Sequence, residues 1–292
     1  MSATLHKLNV YSPNSLHEAL RILKEKKGKV RVLAGGTDLI VQLRAGTIES
    51  MEILNIYGLD ELRYIEIDDG RLRIGALTTY TDIILSGKVA KTAPILVDAS
   101  KTVGSPQIQS KGTIGGNICN ASPAADSLPP LYVLNANVVL QSLDGRREVP
   151  IERFYLGYKK MDMRPDELLV EVNMPIMGDD EDAVFLKHGL RLGDAISVVN
   201  AAILVKWSGN AIGDARIALG AVAPTVIRAK SVEEYLKGKI ANEENMWRAA
   251  EKVLHHISPI TDIRGTAEYR RELAVNMVFN GLWELTHRRM KQ

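Results

Sequence analysis

The chain has one cysteine, Cys119, among its 292 residues. A single thiol excludes an internal disulfide, and it leaves no cysteine set for an iron–sulfur cluster or a thiolate zinc site within this chain. It suits a reducing compartment. An excess of one charge is missing too. The formal net charge is +2, so no basic field points to nucleic acid, and the terminal "HRRMKQ" reads as a solvated helix end. No apolar run approaches the roughly 18 residues of a membrane span. The opening "MSATLHKLNVYSPNSL" lacks the continuous apolar region of a signal peptide. A cytoplasmic protein is expected. Two phosphate-binding signatures are also absent. Neither GxxxxGK[ST] nor GxGxxG occurs, so neither the P-loop nor the Rossmann fingerprint is met.

What is present is ordinary in bulk. Apolar residues make up 46% and charged residues 25%, as in a soluble globular protein. The length favours two or three domains. "NSLHEALRILKEKKGK" reads as a helix capped by Asn14 or Ser15, with Glu18 at capping-box spacing and an apolar face of Leu16, Ala19, Leu20 and Leu23. "VRVLAGG" reads as a short strand, and "TDLIVQLRAG" as a helix starting at Thr37 or Asp38. Short strands follow, with "DDGR" as a hairpin turn, then a helical stretch interrupted near Pro94. After the glycine-rich segment "SKGTIGGNICNASPAAD" comes a strand–turn–strand pattern around Asp144–Gly145 and a strand in "DELLVEVNMPIM". The charged run "GDDED" (178–182) marks a domain boundary. Beyond it, β-branched strands and then helices from about Ser231 predict an α+β domain.

Two segments, "VLAGGTDL" and "GTIGGNIC", share an apolar–Gly–Gly–polar pattern and read as turns. Paired glycines reach backbone angles closed to other residues and let a ligand approach the main chain. Their N–H groups can form an anion nest, aided by a following helix start. The alternative is a tight turn and nothing more. With two such pairs the readings stand about even, and a diphosphate would suit two loops at once. The histidines carry less. His255 and His256 adjoin on a helix and make a poor metal pair, and His188 directly follows Lys187.

The segments "LAGGTDL" (33–39), "GSPQIQSKGTIGGNICNASPAAD" (104–126), "DELL" (166–169) and "FLKHGLRLGDAISVVNAA" (185–202) together resemble the FAD-binding medium subunit of molybdenum hydroxylases of the xanthine dehydrogenase and carbon monoxide dehydrogenase type. The resemblance implies an FAD-binding fold of the vanillyl-alcohol oxidase type over residues 1–177, split into 1–56 and 57–177. A C-terminal α+β domain with an antiparallel sheet and helices would fill 178–292. It implies that Arg31, Val32, Leu33, Ala34, Gly35, Gly36, Thr37 and Asp38 wrap the FAD pyrophosphate, with Gly112, Thr113, Ile114, Gly115, Gly116 and Asn117 on its other side. Asp126 would bind ribose hydroxyls, Asn120 would add a polar contact, and Val103 and Leu169 would line the cofactor. Lys187 would sit near the flavin ring, where a positive charge favours the reduced anion. Asp194 and Ile196 would lie on a loop approaching that ring, with Arg191 structural and paired to Asp194.

The resemblance further implies an electron-transfer role with no catalytic residue of its own. A large partner subunit would carry a molybdenum cofactor and a small one two [2Fe–2S] clusters, as a dimer of heterotrimers. Some members insert a cysteine-rich segment holding a [4Fe–4S] cluster. Here "GGNICNASPAAD" runs directly into "SLPPLYVLNA", so no such cluster and no metal site are expected. Cys119 keeps three readings: packing, redox reactivity and ligation. Two other functions compete, a stand-alone FAD oxidase and a nucleotide-binding scaffold without redox chemistry. The organic substrate and the terminal acceptor are left open.

Overall fold

The computed structural model describes residues 8–48 and 52–291. The first unit is built from β1 (Asn9–Tyr11), α1 (Leu16–Lys26), β2 (Arg31–Leu33), α2 (Leu39–Ala45) and β3 (Glu52–Asn55). Its strands form a parallel sheet in the order β1-β3-β2. Ser15 caps α1 by accepting from the Glu18 N–H, and the Glu18 carboxylate accepts from the Asn14 N–H. Asp38 is the N-cap of α2 but makes no side-chain cap bond. Ala19, Leu20 and Leu23 bury against Val30, Leu54 and Ile56.

The second unit follows with β4 (Ile65–Asp68), β5 (Arg71–Gly75), α3 (Tyr80–Leu85), α4 (Gly87–Thr92), α5 (Pro94–Lys101), α6 (Pro106–Gln109), α7 (Ile114–Asn120), α8 (Leu128–Val133), β6 (Asn137–Ser142), β7 (Gly145–Pro150), α9 (Ile151–Phe154), β8 (Tyr155–Gly157), β9 (Lys160–Met161) and β10 (Leu168–Pro175). Five of its strands form an antiparallel sheet, β4-β5-β10-β6-β7. Asp69 and Gly70, in "DDGR", both have positive φ, at 46° and 69°. That is the mirror-image turn that matches strand twist in a two-residue hairpin. Proline opens α5 at its first turn, where its missing N–H costs nothing.

The third unit holds β11 (Glu181–Gly189), β12 (Ser197–Ser208), β13 (Ala211–Gly220), β14 (Ile227–Arg228), α10 (Lys230–Leu236), α11 (Glu243–Glu251) and α12 (Ala267–Met290). The four strands are antiparallel in chain order. One face of this sheet packs against α10, α11 and α12. The other face sends Ala202, Leu204 and Ala218 into the core of the second unit, beside Leu128, Leu131 and Tyr132. The second and third units therefore share one apolar core. The charged run at 178–182 is partly structural, since Glu181 and Asp182 already pair across β11 and β12.

The second glycine pair departs from expectation. Gly115 and Gly116 sit in the first turn of α7, a helix, and neither has positive φ. Thr113 is the N-cap, its Oγ1 accepting from the Gly116 N–H at 3.1 Å. Only the first pair is a loop, with Gly36 at φ 76°. The similar sequences thus serve different backbones.

Candidate functional site

The two glycine segments meet. A Cβ placed on Gly35 would lie 1.8 Å from the Lys111 carbonyl oxygen, so the first loop touches the main chain just ahead of Gly112. A Cβ on Gly112 would stand 3.6 Å from Thr37 Oγ1, and one on Gly116 would stand 3.8 Å from the Ala34 Cβ. Residues 34–37 and 111–116 therefore lie against one another. Gly35 is required there by clearance, because any side chain would hold the walls apart.

The walls differ in what they leave free. The Leu33 carbonyl accepts from Ile56 N–H at 2.9 Å, anchoring the end of β2. Beyond it, among the described residues, the N–H groups of Ala34, Gly35, Gly36, Thr37 and Asp38 donate no hydrogen bond within the chain. Consecutive unpaired donors in a glycine loop form a nest for an anion. The second segment is largely satisfied. Gly112 N–H donates to Ile108 O, Ile114 N–H to Thr78 O, and Gly115 N–H to Ala76 O. A Cβ on Gly115 would strike the Ala76 Cβ at 2.7 Å and its carbonyl oxygen at 2.8 Å. Gly115 thus lets α7 seat on the strand end, whereas Gly116 is exposed beside the first loop. Asn117 turns inward, where Oδ1 accepts from Ser127 Oγ at 2.7 Å.

Deeper in, Asp126 joins the second and third units. It is 7% exposed. Oδ1 accepts from Ser197 Oγ at 2.6 Å and Asn200 Nδ2 at 2.8 Å. Oδ2 accepts from Lys187 Nζ at 2.6 Å and Thr102 Oγ1 at 3.2 Å. Lys187 also donates to the Thr102 carbonyl at 2.8 Å. Sheet register explains the convergence. Lys187 and Asn200 are direct partners across β11 and β12, so both side chains leave on the same face. The next residue must face the other way. His188 accordingly points toward α12, its Nε2 3.0 Å from the Tyr269 hydroxyl, and it is not near Lys187's partners. A carboxylate has about four acceptor positions; Ser197, Asn200 and Lys187 take three, while the single Thr102 hydroxyl proton lies closer to the Ala99 carbonyl, at 2.8 Å. A ribose hydroxyl could take that fourth position.

The remaining predicted residues fall around this frame. Arg31, Val32 and Leu33 form β2, beneath the first loop. Val103 packs on the core edge and Leu169 is buried in β10 near a register shift. Asp194, with φ 47°, donates its N–H to Gly104 O at 3.2 Å, which docks the 190–196 loop beside Val103. Arg191 holds that loop through its bond to the Asp194 carbonyl at 3.0 Å. Ile196 stands exposed. Asn120, at the end of α7, accepts on its Oδ1 from Lys159 Nζ at 3.0 Å. Cys119 packs against the same core, and burial pushes its thiol up to about 12. Among the described residues no His, Cys, Asp or Glu cluster could hold a metal, and no helix is long and apolar enough to cross a membrane.

The sequence reading missed Thr102, Ser197, Asn200, Ala76 and Lys159. Ser197 and Asn200 lie within "FLKHGLRLGDAISVVNAA", and cross-strand pairing with Lys187 was the signal that could have found Asn200. Nothing local marks Lys159.

Open backbone donors in one loop, with a second segment in main-chain contact with it, are features that suit a protein holding an anionic cofactor. Known sequences and structures agree. Residues 6–177 match the family described as FAD binding domain in molybdopterin dehydrogenase, and residues 185–285 match the CO dehydrogenase flavoprotein C-terminal domain. The chain belongs to this family of FAD-binding medium subunits of molybdenum hydroxylases. It is 37% identical over 259 residues to the glyceraldehyde dehydrogenase medium chain of Sulfolobus acidocaldarius, covering 89% of this chain and 91% of that one. It is 32% identical over 265 residues to the xanthine dehydrogenase FAD-binding subunit of Escherichia coli O157:H7, covering 90% of each. Its fold superposes on carbon monoxide dehydrogenase from Hydrogenophaga pseudoflava with a TM-score of 0.92 and 31% identity, covering 95% of this chain and 98% of that chain.

Proposed function

We propose that this chain holds FAD with its diphosphate in the groove between residues 34–38 and 111–116, and relays electrons for a partner subunit that oxidises the organic substrate. The observation that supports the site is the run of five N–H groups at 34–38 that find no acceptor among the described residues, in a loop packed at Gly35 against the Lys111 carbonyl. Neutral donors held open by the fold suit an anion with several acceptor oxygens, and glycine admits it to the backbone.

Bound FAD would supply a carrier able to exchange electrons singly or in pairs. The chain's own residues do the rest. The Asp126–Lys187 pair fixes the junction of the second and third units. The 190–196 loop, pinned at Gly104, covers the adjoining edge. No residue here is assigned to proton transfer or to bond making. Family membership supports a small partner with two [2Fe–2S] clusters, a large partner with a molybdenum cofactor, and a dimer of heterotrimers in the cytoplasm. It supports as well a flavin-binding part over 1–177, divided near residue 56, and a C-terminal part over 178–292. The stand-alone oxidase reading gains no support from the comparisons, whose relatives are named as medium chains or FAD subunits.

The test is purification of the chain with its co-expressed partners. FAD, molybdenum and iron in one complex, with reduction of the flavin through the iron–sulfur subunit, are expected. A colourless chain that takes up no added FAD would sink the proposal.

A further inference from the structure

Asn117 follows Gly116 in α7, and its side chain ends a buried chain of hydroxyls. Ser127, fully buried just ahead of α8, places Oγ 2.7 Å from Asn117 Oδ1. On its other side Oγ stands 3.1 Å from the Tyr80 hydroxyl, a side chain only 1% exposed. Tyr80 opens α3, where a Thr79–Asp82 capping box fixes the helix start. Its N–H donates to the Gly112 carbonyl at 3.2 Å, which ties α3 to the segment leading into α7.

The direction of this chain follows from its protons. Among the described residues the Tyr80 hydroxyl has no partner but Ser127, and a buried O–H left unspent is costly. Tyr80 must therefore donate to Ser127 Oγ. A serine hydroxyl has a single proton, so Ser127 donates onward and meets the carbonyl oxygen of Asn117. The reverse arrangement, with the amide nitrogen inward, would strand the phenol proton. Burial raises the phenol above the ordinary tyrosine pKa, so that proton stays in place at neutral pH. Asn117 Nδ2 is thereby turned away from Ser127. Among the described residues it makes no bond, and it is not buried.

We propose that Tyr80 and Ser127 are positioning residues, whose relay holds the Asn117 amide with its nitrogen outward as a donor to the ligand of the 34–38 loop. The inference rests on the FAD reading above. Thr113, Gly116 and Asn117 share one side of α7 by helical spacing. Gly116 meets the first loop, since a Cβ there would stand 3.8 Å from the Ala34 Cβ. The opposite side, Gly115 and Ile118, packs on Ala76 and the core. Backbone N–H groups of this segment are largely spent within the chain, so a free side-chain amide adds a donor that the backbone lacks. The competing role is a plain crosslink between α7 and the start of α8.

FAD is titrated against full-length apoprotein of wild type, Ser127→Ala, Tyr80→Phe, Asn117→Ala, Asn117→Asp and the Ser127→Ala, Asn117→Ala double variant, with thermal melts of each. Ser127→Ala and Asn117→Ala should each weaken FAD binding by about tenfold. The double variant should lose no more than Asn117→Ala alone, because the serine acts through the amide. Tyr80→Phe should lose about threefold, since Ser127 keeps its own proton. Asn117→Asp still accepts from Ser127 but turns an acceptor toward the anion, so it should bind FAD more weakly than Asn117→Ala. Losses that add in the double variant, or an Asn117→Asp chain that binds as tightly as wild type, would assign the relay to crosslinking and overturn the proposal. Relay variants that melt lower yet bind FAD as wild type does overturn it equally. A wild-type apoprotein that takes up no FAD removes the FAD reading and this inference with it.

Discussion

Gly35→Ala is the smallest change that should open the groove. The added methyl would sit 1.8 Å from the Lys111 carbonyl oxygen and 2.6 Å from its carbon. Both are main-chain atoms, so no side chain can rotate away. Reaching even a 3.0 Å contact requires one wall to move by 1.2 Å. The useful range of N–H···O distances is only about 0.5 Å wide, so donors on one wall fall out of register with acceptors fixed by the other. Each charge-assisted bond lost costs about 1.5–3 kcal/mol, which is about ten- to a hundredfold in affinity. Overpacking should also remove about 1–3 kcal/mol of stability from the apoprotein. The assay is FAD titration by fluorescence quenching, paired with thermal melts of the apoprotein. Gly58→Ala, where nothing lies within 4 Å, serves as the neutral control. If Gly35→Ala bound FAD within about threefold of wild type, the two segments would not form the cradle.

Gly115→Ala tests a different contact: it meets Ala76 rather than the groove, so the apoprotein should lose about 1–3 kcal/mol whether or not FAD is present, and an unchanged apoprotein melt would refute that packing role. Lys187→Ala leaves the Asp126 charge buried and unpaired, at a cost of about 3–5 kcal/mol. It should lower the flavin midpoint potential, and a potentiometric titration with no shift would remove Lys187 from the flavin's surroundings. Burial would raise the Glu171 carboxyl, but hydrogen bonds from Arg73, Tyr64 and Asn173 and the charge of Arg146 outweigh it and hold it at about 2. A depressed carboxyl stabilises the fold above its unfolded value of 4.5 and loses that contribution as pH falls through the folded value. Acid titration should therefore show stability lost between those limits, and Glu171→Gln should flatten that window. Cys119 is partly buried and its thiol is pushed up to about 12 by desolvation, so it should react slowly with thiol reagents at neutral pH and faster once the chain unfolds; rapid native labelling would contradict the raised thiol.

Local chemistry made much of the frame legible. The Ser15 cap, the "DDGR" hairpin and the first glycine loop each follow from residues a few positions apart. The nest at 34–38 needed only paired glycines after a strand. What escaped depends on distance in the chain. Asp126 gathers Thr102, Lys187, Ser197 and Asn200 because two strands pair in one register and their shared face packs on α5 and α8. "GTIGGNIC" looked like a second turn because glycine pairs disfavour helices. It is a helix because Thr113 caps it and Gly115 must seat against Ala76. His188 directly follows Lys187, yet strand alternation sends neighbours to opposite faces, and its ring meets Tyr269 instead.

Amide hydrogen exchange on the apoprotein, with and without FAD, tests the central claim most directly. Among the described residues the N–H groups of 34–38 find no partner, so they should exchange rapidly alone and slow sharply when FAD is bound. Protection confined to other segments, with 34–38 unchanged at saturating FAD, would contradict a diphosphate held in this groove.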